Sequence, residues 1–152
     1  MPQTPFFPRS PRALLLALLL AACGDDDDPC NESSLEICGG YSDQWGDRHD
    51  ITHIVWGQNF DPASSYQSAY LVVEIDNAAD YLIAQNGADN AFNPGLYSRF
   101  SWTRVGSGLY YCQSPFDAAS VDDARAAAAP DRTNPASSGC GDNSFSWTNL
   151  TP

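Results

Sequence analysis

His49-Asp50-Ile51-Thr52-His53 sets two imidazoles four residues apart in the pattern H-D-x-x-H. That is one methylene from the H-E-x-x-H of zinc metalloproteases. The zinc motif works because a helix stacks positions i and i+4 about 5 to 6 Å apart over one ion. The residues around this pair, Ile51, Thr52, Ile54, Val55 and Trp56, are β-branched or aromatic and predict a strand over 50–57. On a strand, residues 49 and 53 share a face but stand roughly 13 Å apart, too far to chelate one ion. They are the only two histidines, so any further ligand would have to be a carboxylate. No metal and no cofactor is expected. The same alternation puts His49, Ile51 and His53 on one face and Trp56 on the other. His49, His53 and Trp56 are the candidate ligand-contacting residues here, although a histidine hydrogen-bonded within the sheet is the plainer reading of His53.

Other catalytic constellations are weaker. Glu74 and Asp76 lie two apart on an apparent strand, roughly 7 Å from each other, a spacing that suits a glycosidase pair. Asp76, however, has the setting of a turn residue. No G-x-S-x-G elbow supports a serine hydrolase. A secreted hydrolase is therefore the least favoured reading, and no catalytic residue is assigned.

The N-terminus says where the protein goes. Arg9 and Arg12 precede an unbroken apolar run, Ala13 to Ala22. About ten residues cannot span a bilayer, which needs ~20, so the run reads as a secretory signal peptide over 1–22. Leu20-Ala21-Ala22-Cys23 has the form of a lipobox, which makes Cys23 the acylated first residue of the mature chain. Several acyl chains on one cysteine give stable anchoring without a spanning segment. Four adjacent aspartates, Asp25 to Asp28, repel one another and form an extended tether over 23–36. They lack the alternating ligands of a calcium loop. Residues 37–152 make a single domain.

Net charge is -12, and every cation is an arginine. This excludes nucleic acid as a partner, which demands clustered positive charge. Asn31-Glu-Ser and Asn149-Leu-Thr match the N-glycosylation pattern, by chance in a bacterial lipoprotein.

Four cysteines remain beyond Cys23: Cys30, Cys38, Cys112 and Cys140. An even number in an exported chain reads as two disulfides, with three connectivities open. Cys30–Cys38 with Cys112–Cys140 is the favoured set. The remaining body reads as a mainly all-β domain, an antiparallel meander closing into a small barrel or sandwich. Strands are expected over 69–76, with Leu71, Val73 and Ile75 on one face, and over 81–85. Tyr97 to Val105 and Leu109 to Gln113 flank the hairpin signal Gly106-Ser107-Gly108. Ala118 to Ala129 predicts one short Ala-rich helix, with Ser120-Val-Asp-Asp123 as a capping box and Pro130 as its stop, packed across an end or edge of the sheet. Phe145-Ser-Trp147 is expected as a last edge strand.

Tyr97-Ser-Arg-Phe-Ser-Trp-Thr103, Tyr110-Tyr111-Cys112-Gln113, Gly139-Cys140-Gly141 and Trp147-Thr-Asn-Leu150 occur in that order. From about Gly40 onward the chain resembles a group of uncharacterised bacterial lipoproteins with a Tyr-Tyr-Cys-Gln…Gly-Cys-Gly…Trp-Thr-x-Leu tail. The resemblance implies a shared β-rich exported domain and supports pairing Cys112 with Cys140. It implies no activity.

The expected protein is a lipid-anchored component of the bacterial cell envelope, most plausibly on the outer membrane, non-catalytic, with a structural or protein-binding role. The alternative is a module for carbohydrate or another small ligand. Aromatics are 12% of the chain, and flat rings serve sugar stacking and core packing equally well. Exposed rings beside Asn or Asp would favour a polysaccharide partner over an envelope protein. Cys23→Ser should move the protein wholly into the soluble fraction, because acyl chains supply its membrane affinity. A variant that still pellets with membranes and resists salt washing would refute the anchor.

Overall fold

The computed structural model describes Cys30, residues 34–59 and residues 67–152. The expected signal peptide, Cys23, the aspartate run and Asn31 lie outside the described residues. Eight strands form one closed antiparallel barrel in sequence order: β1 (Gly39–Asp43), β2 (Arg48–Ile51), β3 (Val55–Asn59), β4 (Ser68–Asp76), β5 (Tyr81–Asn86), β6 (Tyr97–Val105), β7 (Gly108–Gln113) and β8 (Thr148–Thr151). The barrel closes where β8 pairs with β1, Leu150 opposite Asp43. Among the described residues a single helix, α1 (Val121–Ala126), lies between β7 and β8. The expected meander is thus a barrel rather than a sandwich.

Up-and-down order sends alternate connections to opposite ends. The β1–β2, β3–β4, β5–β6 and β7–β8 connections meet at one end, here the mouth. The three short turns, β2–β3, β4–β5 and β6–β7, meet at the other, the base. The turn chemistry is legible at the β6–β7 hairpin, where Gly106 has φ +60 and Val105 pairs with Gly108. Glycine at the first position of a two-residue loop, with positive φ, fits the strand twist.

Aromatic side chains fill the lumen. Trp56 stacks on Phe100 with ring centres 4.4 Å apart, and Tyr111 tilts against Trp56 at 4.9 Å. Leu35 and Ile37, ahead of β1, are buried in the same cluster, so the chain enters the core before the expected end of the tether. Six of the eight strands hold six residues or fewer, against the ~9 to 11 of a spanning strand. Apolar residues face inward, the reverse of a membrane-spanning barrel.

Several expectations are corrected. The predicted strand over 50–57 is a hairpin, with β2 ending at Ile51 and β3 starting at Val55. Thr52 makes the turn, its hydroxyl accepting from the backbone N–H of Ile54 (3.2 Å) and Val55 (3.0 Å). A β-branched residue thus acts as a local turn former. The expected single face of Leu71, Val73 and Ile75 is also divided. A bulge between Val72 and Glu74 inserts an extra residue, so Leu71 and Val73 face solvent while Ile75 packs on the core. The helix starts as expected, Ser120 Oγ accepting from the Asp123 N–H at 3.1 Å, but it ends at Ala126. It covers the outer wall rather than an edge, burying Ala124 against Tyr81 and Ile83. This explains why Tyr81 to Ala84 reads as a continuous apolar run: β5 is buried on both faces. Phe145 to Trp147 is no edge strand. Trp147 anchors the preceding loop, its indole N–H donating to the Asp131 carbonyl at 3.1 Å, and β8 begins one residue later.

Ile75→Ala should cost about 2 to 4 kcal/mol as a core truncation. Val73→Ala, one bulge away, should stay within about 0.5 kcal/mol. Urea unfolding of the two variants checks the assignment, and equal costs would refute the bulge.

Candidate functional site

β2 alternates Arg48 out, His49 in, Asp50 out, Ile51 in, which places His49 inside the barrel at 1% exposure. Trp56 pairs with Ile51 across the hairpin and points into the same lumen. It is therefore not on the face opposite His49. The Trp56 indole N–H donates to His49 Nδ1 at 3.2 Å. Indole is a donor only, so Nδ1 carries no proton and the neutral ring donates from Nε2 to Asp43 Oδ2 at 3.3 Å. Burial holds the His49 pKa below the ordinary imidazole value, against the opposing pull of Asp43. Asp43 is itself fixed, its other oxygen accepting from the backbone N–H groups of Trp45 and Asp47, both at 2.9 Å.

An Asp–His pair has the form of a general base, but this ring has both nitrogens engaged and no path to solvent. Its geometry suits holding β1, β2 and β3 together. At the same level, Gln58, the cross-strand partner of His49, donates to the Tyr111 hydroxyl at 3.3 Å, and burial pushes the Tyr111 pKa up. His53 stands in the β2–β3 turn at the base, separated from His49 by the end of a strand, so the two do not share a face.

The carboxylate pair is likewise structural. Arg125 hydrogen bonds hold the Glu74 pKa below the usual carboxylate range, with Tyr81 donating to the same group at 3.0 Å. Asp76 accepts from the Ala79 N–H at 3.0 Å within its turn. Among the described residues no three His, Cys, Asp or Glu side chains gather as metal ligands. Both disulfides are formed, Cys30–Cys38 ahead of β1 and Cys112–Cys140 at the mouth. Gly139 and Gly141 flank Cys140 with φ +99 and +69, and a Cβ at Gly139 would lie 2.0 Å from the Asp131 carbonyl oxygen. The Gly-Cys-Gly triplet is thus set by backbone geometry at the bridge.

The mouth is built differently. Four large aromatic side chains are exposed among the described residues: Trp45 (66%), Phe92 (82%), Phe116 (54%) and Phe145 (65%). All four sit on connections at the mouth, and none on the turns of the base. Beneath them runs a relay of side chains. Gln113 Nε2 donates to Ser98 Oγ (2.9 Å), and Ser98 Oγ donates to Asn86 Oδ1 (2.6 Å). Asn86 Nδ2 donates to the carbonyls of Asn93 (2.9 Å) and Phe116 (3.0 Å). One relay therefore ties the loops that bear Phe92 and Phe116 to the strands. Composition alone does not set Phe116 and Phe145 apart from the core aromatics. The signal was present in their polar, turn-forming neighbours, Ser-Pro-Phe116-Asp and Asn-Ser-Phe145-Ser, where a ring has no core to enter.

The fold and site define a closed up-and-down barrel with a filled lumen and a ring-lined mouth. No family model matches this chain, nor does any curated protein or solved structure. Function is therefore read from the site.

The stability of this barrel should depend on His49. Its folded pKa lies below the ~6.5 of an unfolded histidine. As pH falls below about 6.5 the unfolded chain takes up the proton first, and stability drops by at most about 1.4 kcal/mol per pH unit. Urea midpoints measured from about pH 7.5 to about pH 5.5 should show that slope, and His49→Gln should flatten it. Identical slopes in the two proteins would mean that His49 titrates alike folded and unfolded.

Proposed function

We propose that this is a lipid-anchored, non-catalytic binding module of the bacterial cell envelope. The barrel is its rigid scaffold and the mouth its binding surface. Among the described residues, the segregation of every exposed large aromatic to the mouth carries the reading, since exposed rings on ordered loops are costly in water and useful in recognition.

The path of the N-terminal segment supports it. Ile37 is buried, the Glu36 N–H donates to Asn77 Oδ1 in the β4–β5 turn at 3.1 Å, and Asn77 returns a bond to the Ser34 carbonyl. Residues 34–37 thus lie at the base, so a tether from an acylated Cys23 would join the barrel at the end opposite the binding surface. Two disulfides suit an exported protein, and the resemblance of the C-terminal segments to a lipoprotein group fits the same address. The locked state of His49 and of Glu74 favours binding over catalysis.

Immobilised protein should retain envelope polysaccharide or protein from a solubilised extract, and the triple variant Phe92→Ser, Phe116→Ser, Phe145→Ser should lose that retention. Each exposed ring contributes little to folding, within about 0.5 kcal/mol, so unfolding should be nearly unchanged. Retention equal to wild type would sink the reading.

A further inference from the structure

We propose that the mouth binds an uncharged glycan chain, its sugar faces laid on Phe92, Phe116 and Phe145. The assignment rests on the reading of the mouth as a binding surface and names its ligand. Two cavities adjoin there, of about 420 and about 320 Å3, the size of small-ligand sites. Gln113 and Phe116 border both, so the two lie side by side across Phe116. Phe145 lines the larger and Phe92 the smaller. Beside the rings stand groups suited to hydroxyls: the Asn93 amide in the smaller cavity, and Asn143, Asp117 and Asp142 in the larger. A pyranose presents an apolar face of C–H groups and a rim of hydroxyls that both donate and accept, the complement of this lining.

Charge narrows the class. Among the described residues no arginine or histidine borders either cavity, and the chain carries -12, so an acidic polymer would meet mainly like charge. A lipid tail needs enclosed apolar volume, but the lumen is filled by Trp56, Phe100 and Tyr111. A cationic peptide would satisfy Asp117 and Asp142, yet those carboxylates line one cavity while the rings span both. The Gln113–Ser98–Asn86 relay orders the rim on folding, which lowers the entropy lost on binding.

The test is calorimetric titration of the full chain, in a detergent without sugar headgroups, with hexasaccharides of glucose and of N-acetylglucosamine. Polygalacturonate and oligolysine serve as comparisons. Saturable binding of a neutral hexasaccharide is expected, weakened about tenfold or more by Phe116→Ala and unchanged by Val73→Ser on the outer wall. The exposed Phe116 is dispensable for folding, which the melting temperature of the variant verifies. Absence of neutral-sugar binding at about 10 mM, or binding indifferent to Phe116→Ala, overturns the glycan assignment. Binding of polygalacturonate or oligolysine alone, lost in Phe116→Ala, overturns it too but leaves the mouth as a binding surface. Loss of ring-dependent retention in the extract experiment as well would remove both.

Discussion

The stack of Trp56 on Phe100, with Tyr111 and Tyr70 against it, is the contact on which the rest of the molecule depends. An eight-stranded barrel encloses an interior just wide enough for side chains to fill, and large aromatics from facing strands fill it here. A filled interior lets strands as short as four residues hold their register. It also denies the lumen to a ligand, which leaves only the ends and the outer wall for binding.

Filling a lumen with Trp and Tyr brings polar atoms inside, and each needs a partner. The indole N–H of Trp56 is satisfied by His49, and His49 by Asp43, which in turn accepts from the β1–β2 turn. A pair of residues that resembles catalytic machinery is therefore a consequence of aromatic packing. The same economy operates on the outer wall. Arg99 lies 4.2 Å over the Tyr81 ring and donates to the Ala127 carbonyl just past α1. Helix, wall and loop are held by one guanidinium.

The two ends of the barrel divide the work. At the base the turns are short, and Leu35 and Ile37 close the core. At the mouth the β5–β6 and β7–β8 connections are long, pinned by the Cys112–Cys140 bridge, by Trp147 and by the Asn86 relay, and they carry Phe92, Phe116 and Phe145. Rigidity without coverage is what a preformed binding surface needs, because ordered side chains lose little freedom when a ligand arrives.

Much of this was written locally. Gly106-Ser107, Ser120 with Asp123, and the alternation of β6 and β7 each act within a few residues, so these strands, the hairpin and the helix start are legible from sequence, whereas the cysteine count pointed to two disulfides with three connectivities open. Three features were not legible. The hairpin at Thr52 hides among β-branched residues because its turn depends on a hydroxyl bond rather than on glycine. The bulge at Val73 reverses the apparent inner face of β4, and no local signal marks it. Above all, which aromatics are core and which are surface is a long-range question: Trp56 and Phe116 are alike as rings. Closure of the barrel alone puts Trp56 against Phe100 and leaves Phe116 in water at the mouth, because burial depends on partners that the chain brings together only in the folded state.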